Sequence, residues 1–431
     1  MVATETKIQR YDSYKDSGVE WLGDIPKHWQ VKPGFTILFE SKEKNTGFKE
    51  NTVLSLSYGN VIIKPEEKLT GLVPESFETY QLVEPGDIII RPTDLQNDKT
   101  SLRTGLAKDK GIITSAYINL RILKGYSNKY FHYYLHTIDI NKVIYGLGSG
   151  LRQNISFEDF KRFPFPFPPL PEQTAIAQFL DDKTTKIDQA IAIKQQQIAL
   201  LKERKQILIH KAVTKGVTSS AVEMKDSGVE WIGEIPEHWE VSRLGLMLTP
   251  YSVKNVPNNT LLSITRELGV IVRDLDDLEG NHNFIPDDLS GYKLLEKGDF
   301  GMNKMKAWQG SYGVSNHTGI VSPAYFTFKI ISTINPDFFH LAIRTKTYVS
   351  FFGQASDGVR IGQWDLSKER MKQIPFIIPS LKEQEKIVSF VETASAKIET
   401  AISLKEQEII KLEEFKSSLI NSVVTGKIKI V

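Results

Sequence analysis

The chain states one long pattern twice, and that repetition limits its possible folds more than any other feature. YKDSGVEWLGDIPKHWQV at 14–31 returns as MKDSGVEWIGEIPEHWEV at 224–241, an offset of 210 that sets Trp21 on Trp231 and Trp29 on Trp239. Later anchors return at nearly the same spacing. Tyr80 with EPGD (84–87) returns as Tyr292 with EKGD (296–299), and GIITSAY (111–117) as GIVSPAY (319–325). LPEQ (170–173) returns as LKEQ (381–384), and LIHKAVT (208–214) as LINSVVT (419–425). A period this long is a duplicated domain, since solenoid units run about 20–50 residues. The stretches between anchors differ sharply. The pattern predicts one architecture presenting two different binding surfaces.

Each repeat reads as a globular part followed by a long helix. Residues 1–170 mix short β-rich runs (Thr52–Leu56, Val61–Lys64, Asp87–Ile90, Ile112–Leu123) with Gly and Pro punctuation, and a helix is expected over about 128–144. FPFPFPPLP (163–171) forces an extended strut and permits a helix only after it. From there to Val213 no Gly and no further Pro occurs, and Ile176, Leu180, Ile187, Ile191, Ile198, Leu201, Leu208 and Ala212 recur at coiled-coil steps. Lys183, Lys194 and Lys205 interrupt that seam. A second helix, about 382–424, repeats it: Ile398, Ile402, Ile409, Leu412, Leu419 and Val423 sit at offset 211, with Lys405 and Lys416 in the places of Lys194 and Lys205. Ser380 and Glu383 have capping-box spacing at its start.

Helices of about 43 residues are about 64 Å long and expose an apolar stripe that needs a partner. An intermolecular coiled coil would cover it. Matched length and phase favour pairing of the two helices with each other. Antiparallel pairing would carry the globular parts to opposite ends and return the chain's end to its beginning. The expected fold is therefore α+β, two pseudo-symmetric globular domains joined by two long antiparallel coiled-coil helices. The boundaries are 1–170 and 216–381 for the globular domains, with 171–215 and 382–431 for the helical segments.

Composition excludes some classes. There is no cysteine, which removes disulfides and thiolate metal sites. No apolar run has the length of a membrane span and MVATETKIQR has no signal-peptide core, so a cytoplasmic protein is expected. Lys and Arg number 54 against 52 Asp and Glu, a net +2 that neither demands nor excludes nucleic acid.

Enzymatic machinery is not visible. The sequence has no GxGxxG or GxxxxGK phosphate loop, no HExxH, no metal-spaced His cluster and no GxSxG elbow. It has no N/D-P-P-Y/F amino-methylation motif and no Gly-rich S-adenosylmethionine loop. The acid–Lys runs ERMK (369–372) and EFK (414–416) read as solvated helix faces, and His28 and His238 as structural contacts beside a Trp. No catalytic residue, cofactor or metal is expected.

The loops after the shared GD differ most: RPTDLQNDKTSLRTG (91–105) against NKMKAWQGSYG (303–313). Both are dense in side chains that read base edges. The first offers Arg91, Gln96, Asn97, Lys99 and Arg103; the second offers Asn303, Lys304, Lys306, Gln309 and Tyr312, with Trp308 as wedge or stacking partner. A second polar patch precedes each strut, GSGLRQN (148–154) and SDGVRIGQW (356–364), in which Arg152 matches Arg360. Residues retained across the repeat suit phosphate contacts better than base reading. Ordinary polar surface loops are the bland alternative; equivalent placement in a duplicated frame argues for recognition.

Taken in order and twice, the W-[LI]-G-[DE]-I-P-x-H-W segments (21–29, 231–239), the GD turns, the GI[IV][TS]xAY runs and the P-x-L-x-E-Q helix starts (168–173, 379–384) resemble the specificity (S) subunits of type I restriction–modification systems. The resemblance spans essentially the whole chain. It implies a DNA-reading scaffold without catalysis of its own, whose two globular parts are target-recognition domains. One copy would join two DNA methyltransferase (M) subunits and, with two restriction-translocase (R) subunits, form a restriction complex. Those partners would carry the S-adenosylmethionine, ATP and magnesium chemistry. Each domain would read half of a split, asymmetric site in double-stranded DNA, and the helices would fix the gap. Two rivals stand beside it: a coiled-coil scaffold whose domains bind proteins, and a specificity subunit of a methylation-only or other phage-defence system.

Overall fold

The computed structural model describes residues 9–65, 67, 76–95, 98, 101–147, 154–217, 222–256, 260–274, 285–286, 288–360 and 363–430. The chain forms two compact units, Met1–Lys194 with Glu406–Val431, and Gln195–Lys405. Each unit thus contains one globular part and part of each long helix.

In the first unit β1 (Leu38–Glu40), β2 (Ile88–Ile90), β3 (Thr104–Leu106) and β4 (Ile118–Ile122) form an antiparallel sheet in the order β1-β4-β2-β3. In the second, β5 (Leu248–Tyr251), β6 (Phe300–Asn303), β7 (Tyr312–Val314) and β8 (Tyr325–Ile330) repeat that order, β5-β8-β6-β7. The fold is α+β and duplicated, as the repeat requires. The run Ile112–Leu123 is two strands, Gly111–Ile113 and Ile118–Ile122, which pair with different partners because a turn closed by Tyr117 N–H on the Thr114 carbonyl separates them. Helix α1 (Asn128–Ile140) is shorter than its apolar run, since Lys142 adopts φ 60° and a single 3-10 turn follows.

The proline strut is itself a strand. Pro164–Phe167 pairs antiparallel with Gln30–Pro33, and Pro375–Ile378 pairs likewise with Glu240–Arg243. Two-stranded ribbons tolerate proline, because each strand has a free edge for the missing N–H. The ribbons lead into α2 (Leu170–Lys215) and α4 (Leu381–Val424); α3 (Pro336–Ile343) is the second repeat's counterpart of α1.

Within each unit the two long helices run antiparallel, and Ile187, Ile198 and Ile398 of their seams are buried. In the first unit Lys416 meets Asp188 at 2.7 Å and Lys194 meets Glu408 at 2.6 Å; in the second Lys205 meets Glu399 at 2.5 Å. Lys194, Lys205 and Lys416 therefore sit in interhelical ion pairs, while Lys183 lies over the Phe179 ring. Asp188 and Glu399 are equivalent in the repeat, as are Lys416 and Lys205, so one contact is made in both senses. Such exposed pairs stabilise by only about 0.2–1 kcal/mol each, and their main effect is on register. At the chain's end, Lys429 N–H bonds the Gln9 carbonyl at 2.9 Å, closing the second helix onto the first repeat.

The shared W…H-W segment joins the start of one helix to the end of the other. His28 contacts the Glu172 carboxylate at 2.9 Å, and His238 contacts Glu383 at 2.7 Å. The neighbouring Gln173 and Gln384 are fully buried. Their amide oxygens accept from Ser127 N–H (3.0 Å) and Asn335 N–H (2.7 Å), at the starts of α1 and α3. The second Trp of each segment packs on the glycine that follows the other helix. Gly426 (φ 76°) lies so close that a Cβ there would stand 2.3 Å from Pro26 and 3.1 Å from Trp29. Gly216, also at φ 76°, faces Trp239 in the same way. The left-handed residue after a helix is a natural place for glycine, and at Gly426 the packing demands it as well.

Glu383 also caps its helix, accepting from Ser380 N–H at 3.2 Å and Oγ at 2.7 Å, and it accepts from Trp239 Nε1 at 3.2 Å. Burial works to raise its pKa, but hydrogen bonds from Ser380, His238 and Trp239 outweigh that and hold it at about 2. A carboxyl lowered by folding stabilises above its ordinary value of 4.5 and loses that contribution as pH falls through about 2. Glu383→Gln should cost roughly 1–3 kcal/mol at neutral pH. It should also remove a component of the wild type's stability loss between pH 4.5 and 2. Urea midpoints measured across that range check both statements.

Candidate nucleic-acid interface

Both variable loops join neighbouring strands of the four-stranded sheets. Residues 91–103 run from β2 to β3, and residues 304–311 from β6 to β7. In each unit residues that precede the strut lie against the loop. In the first, Asp94 N–H bonds Asn154 Oδ1 at 3.2 Å, and Ile155 N–H bonds the Pro92 carbonyl at 2.9 Å. In the second, Lys304 meets Asp365 at 3.1 Å and Trp308 stacks on Trp364, ring centroids 5.2 Å apart and planes 22° apart. Contacts thus join stretches far apart in sequence in each repeat: 92–94 with 154–155, and 304–308 with 364–365.

Several expected readers are exposed at least in part. Arg91 is half-exposed and pairs with Asp98 at 3.3 Å. Lys306 is exposed, while Lys304, Trp308 and Gln309 are half-buried. Arg360 ends a hairpin strand, Ser356–Arg360, paired with Gln363–Leu366. Gln96, Asn97, Lys99 and Arg152 lie outside the described residues.

Three expected readers are instead internal supports. Arg103 is fully buried. Its guanidinium donates to the carbonyls of Thr93 (2.6 Å), Asp94 (3.1 Å) and Asp98 (2.5 Å) and to Tyr145 Oη (3.2 Å), so turning it outward would strip donors from the loop backbone. Tyr312 is fully buried as well, its ring 4.4 Å from that of Phe352, because the first residue of β7 faces the core. Asn303 is buried at the end of β6, where its Oδ1 accepts Met305 N–H at 3.1 Å and shapes the turn.

The second loop has its own guanidinium, supplied from elsewhere. Arg344, just after α3, donates to the carbonyls of Gly310 (3.3 Å) and Tyr312 (2.6 Å), and to those of Arg266 and Glu267 (both 2.8 Å). Nothing at the level of residue spacing marked it. Asp365, one residue beyond the quoted patch, was also missed. Among the described residues no cluster of three or more His, Cys, Asp or Glu could hold a metal ion, and no helix is long and apolar enough to cross a membrane.

Comparisons with known proteins bear on the family and the fold. Residues 36–203 and 312–414 match the family model described as the type I restriction modification DNA specificity domain. A Methanocaldococcus jannaschii protein, named as the MjaX type I restriction enzyme specificity subunit, is 24% identical over 95% of this chain and 96% of its own length. The MjaVIII specificity subunit of the same organism is 26% identical over 66% of each chain. A chain solved in work on complex assembly and conformational transition of the type I R-M system superposes with a TM-score of 0.64 at 10% identity, covering 93% of this chain and 98% of that one. The HsdS subunit from Thermoanaerobacter tengcongensis superposes at 0.50 with 12% identity, covering 94% and 98%. At these identities the structural matches speak for the fold.

Support and surface should separate on mutation. Arg103→Met should lower stability by roughly 2–4 kcal/mol, because buried carbonyls lose their donor. It should also raise hydrogen exchange across residues 91–98. Lys306→Ala should change stability by no more than about 0.5 kcal/mol. Thermal unfolding and peptide-level exchange of both variants provide the check.

Proposed function

The chain belongs to the type I restriction–modification DNA specificity family, whose business is DNA target recognition, and from that premise we propose that it is a non-catalytic subunit reading a bipartite, asymmetric site in double-stranded DNA. Each globular part reads one half-site. The helical segments 171–215 and 382–431 hold the two readers and serve as the platform for two M subunits, with R subunits joining to complete a restriction complex. The S-adenosylmethionine, ATP and magnesium chemistry belongs to those partners. The observation that carries this reading is one strand order built twice, with unlike loops at the same place. The missing amino-methylation motif and phosphate loops agree with it. The experiment is co-expression with the cognate methyltransferase and sequencing of adenine methylation across a plasmid library. Two unlike half-sites at a fixed gap are expected. Methylation or cleavage of DNA by the purified chain alone would refute the non-catalytic role.

The remaining candidate readers divide by task. Lys304, Lys306 and Gln309 differ from the other repeat and suit base reading, with Trp308 as an apolar contact; Arg91, Gln96, Asn97 and Lys99 are their counterparts. Arg152 and Arg360 recur and suit phosphate. Lys306→Ala should relax one half-site and leave the other intact, since one good base contact discriminates by about 1–3 kcal/mol. Arg360→Ala should weaken binding to all sequences and reduce the salt slope by about 1. Equal changes in both half-sites from Lys306→Ala would sink the modular reading.

The helix pair sets the number of unread base pairs between the half-sites. Deleting Lys194–Leu200 together with Lys405–Lys411 removes one heptad from each helix, about 10 Å, and keeps the apolar seam in phase. It removes both partners of the Lys194–Glu408 pair and spares Lys205–Glu399 and Asp188–Lys416. DNA turns once per about 10.5 base pairs, so a shorter pair also needs a rotated reader. The variant should assemble with its methyltransferase, lose the native spacing and favour a shorter gap. Methylation of the original spacing at the original rate would show that the helices are not the ruler.

A further inference from the structure

In both repeats a β-hairpin lies against the strand that leaves the variable loop. The first hairpin pairs Leu54–Ser57 with Asn60–Ile63, and the two residues at its tip, Tyr58 and Gly59, have φ 48° and 77°. A Cβ on Gly59 would lie 3.1 Å from the Leu102 side chain, at the end of the 91–103 loop. Tyr58 is 89% exposed, which is unusual for a ring fixed on a tight turn. The second hairpin pairs Leu262–Thr265 with Gly269–Val272. Its tip carbonyls, Arg266 and Glu267, share the Arg344 guanidinium with Gly310 of the variable loop and Tyr312 at the start of β7. A Cβ on Gly269 would lie 3.5 Å from the Tyr312 carbonyl. The Arg266 side chain is 66% exposed and Leu268 is 68% exposed.

The frame is common and its content differs, as in the loops: an aromatic ring at one tip and a guanidinium at the other. Resting on the DNA-reading role, we propose that these tips are a third reading element, with Tyr58 contacting the half-site of the first unit and Arg266 that of the second. A phenol ring offers a flat apolar face and a hydroxyl to a base or sugar. The Arg266 guanidinium, whose Nε lies 3.8 Å from the exposed Glu267 carboxylate, offers its terminal N–H groups as a fork to guanine or phosphate. Arg344 is then a positioning residue that makes tip and loop move together.

The test uses the chain assembled with its cognate methyltransferase and duplex pools in which each half-site is randomised in turn. Tyr58→Asn removes the ring while keeping a residue that accepts the left-handed turn. Arg266→Ala removes the fork, and Lys306→Ala is the loop control. Tyr58→Asn should lower discrimination or affinity at the first unit's half-site by about fivefold or more and leave the second unchanged. Arg266→Ala should do the converse. Both should melt as the wild type does; should Arg266→Ala not fold, Arg266→Gln replaces it. If Lys306→Ala moves its half-site while both tip variants stay within twofold of wild type, the tips are not readers and the loop reading stands. If the control is also silent, loop reading falls and the tip proposal falls with it. Arg344→Lys, which keeps charge but cannot fork, should reproduce the combined loss of Arg266→Ala and Lys306→Ala at one half-site only.

Discussion

Everything each repeat presents depends on the contact between its W…H-W segment and the two long helices. Trp29 packs on Gly426 at the end of α4 while His28, beside it, holds Glu172 at the start of α2. Trp239 and His238 do the same with Gly216 and Glu383. One short segment therefore fixes a helix start and a helix end together, which is possible only if the helices run antiparallel. Gln173 and Gln384, one residue on, carry the constraint to α1 and α3. Because an α-helix turns about 100° per residue, a slip of one position would break the Glu contact, the Gln contact and the seam lysine pairs at once.

The two clamps are equivalent in design but not in detail. Ser380 gives Glu383 a cap that Pro169, its counterpart in the first repeat, cannot give Glu172; there the Tyr11 hydroxyl donates to the carboxylate instead. Trp239 Nε1 donates to Glu383, whereas Trp29 Nε1 finds no partner among the described residues. Retained sequence therefore marks where the clamp lies, and the surrounding residues decide which hydrogen bonds complete it.

Duplication, the two helices and the phase of their lysines could be read from residues alone, because period and seam are properties of spacing. The variable loops could be placed because they follow the GD turn. Which of their side chains face outward could not. Tyr312 and Asn303 belong to strand ends, where a one-residue shift in register exchanges core and surface. Arg103 looks like any other loop cation until the carbonyls of Thr93, Asp94 and Asp98 close around it. The His–Glu contacts join residues about 145 apart, and only the fold reveals that two recurring motifs recur because they touch.

Arg103 and Arg344 show how one frame can carry unlike loops. Each loop is held through its backbone carbonyls by a buried or half-buried guanidinium, one from the loop itself and one from beside α3. Carbonyl anchoring is indifferent to the side chains of the residues it holds. Residues such as Lys306 and Gln309 can then be chosen for what they touch rather than for holding their loop in shape. The arginine itself has no such freedom, since its planar fork satisfies several acceptors that lysine would leave unpaired. Variation at the loop surface and rigidity beneath it are both compatible with the same few hydrogen bonds.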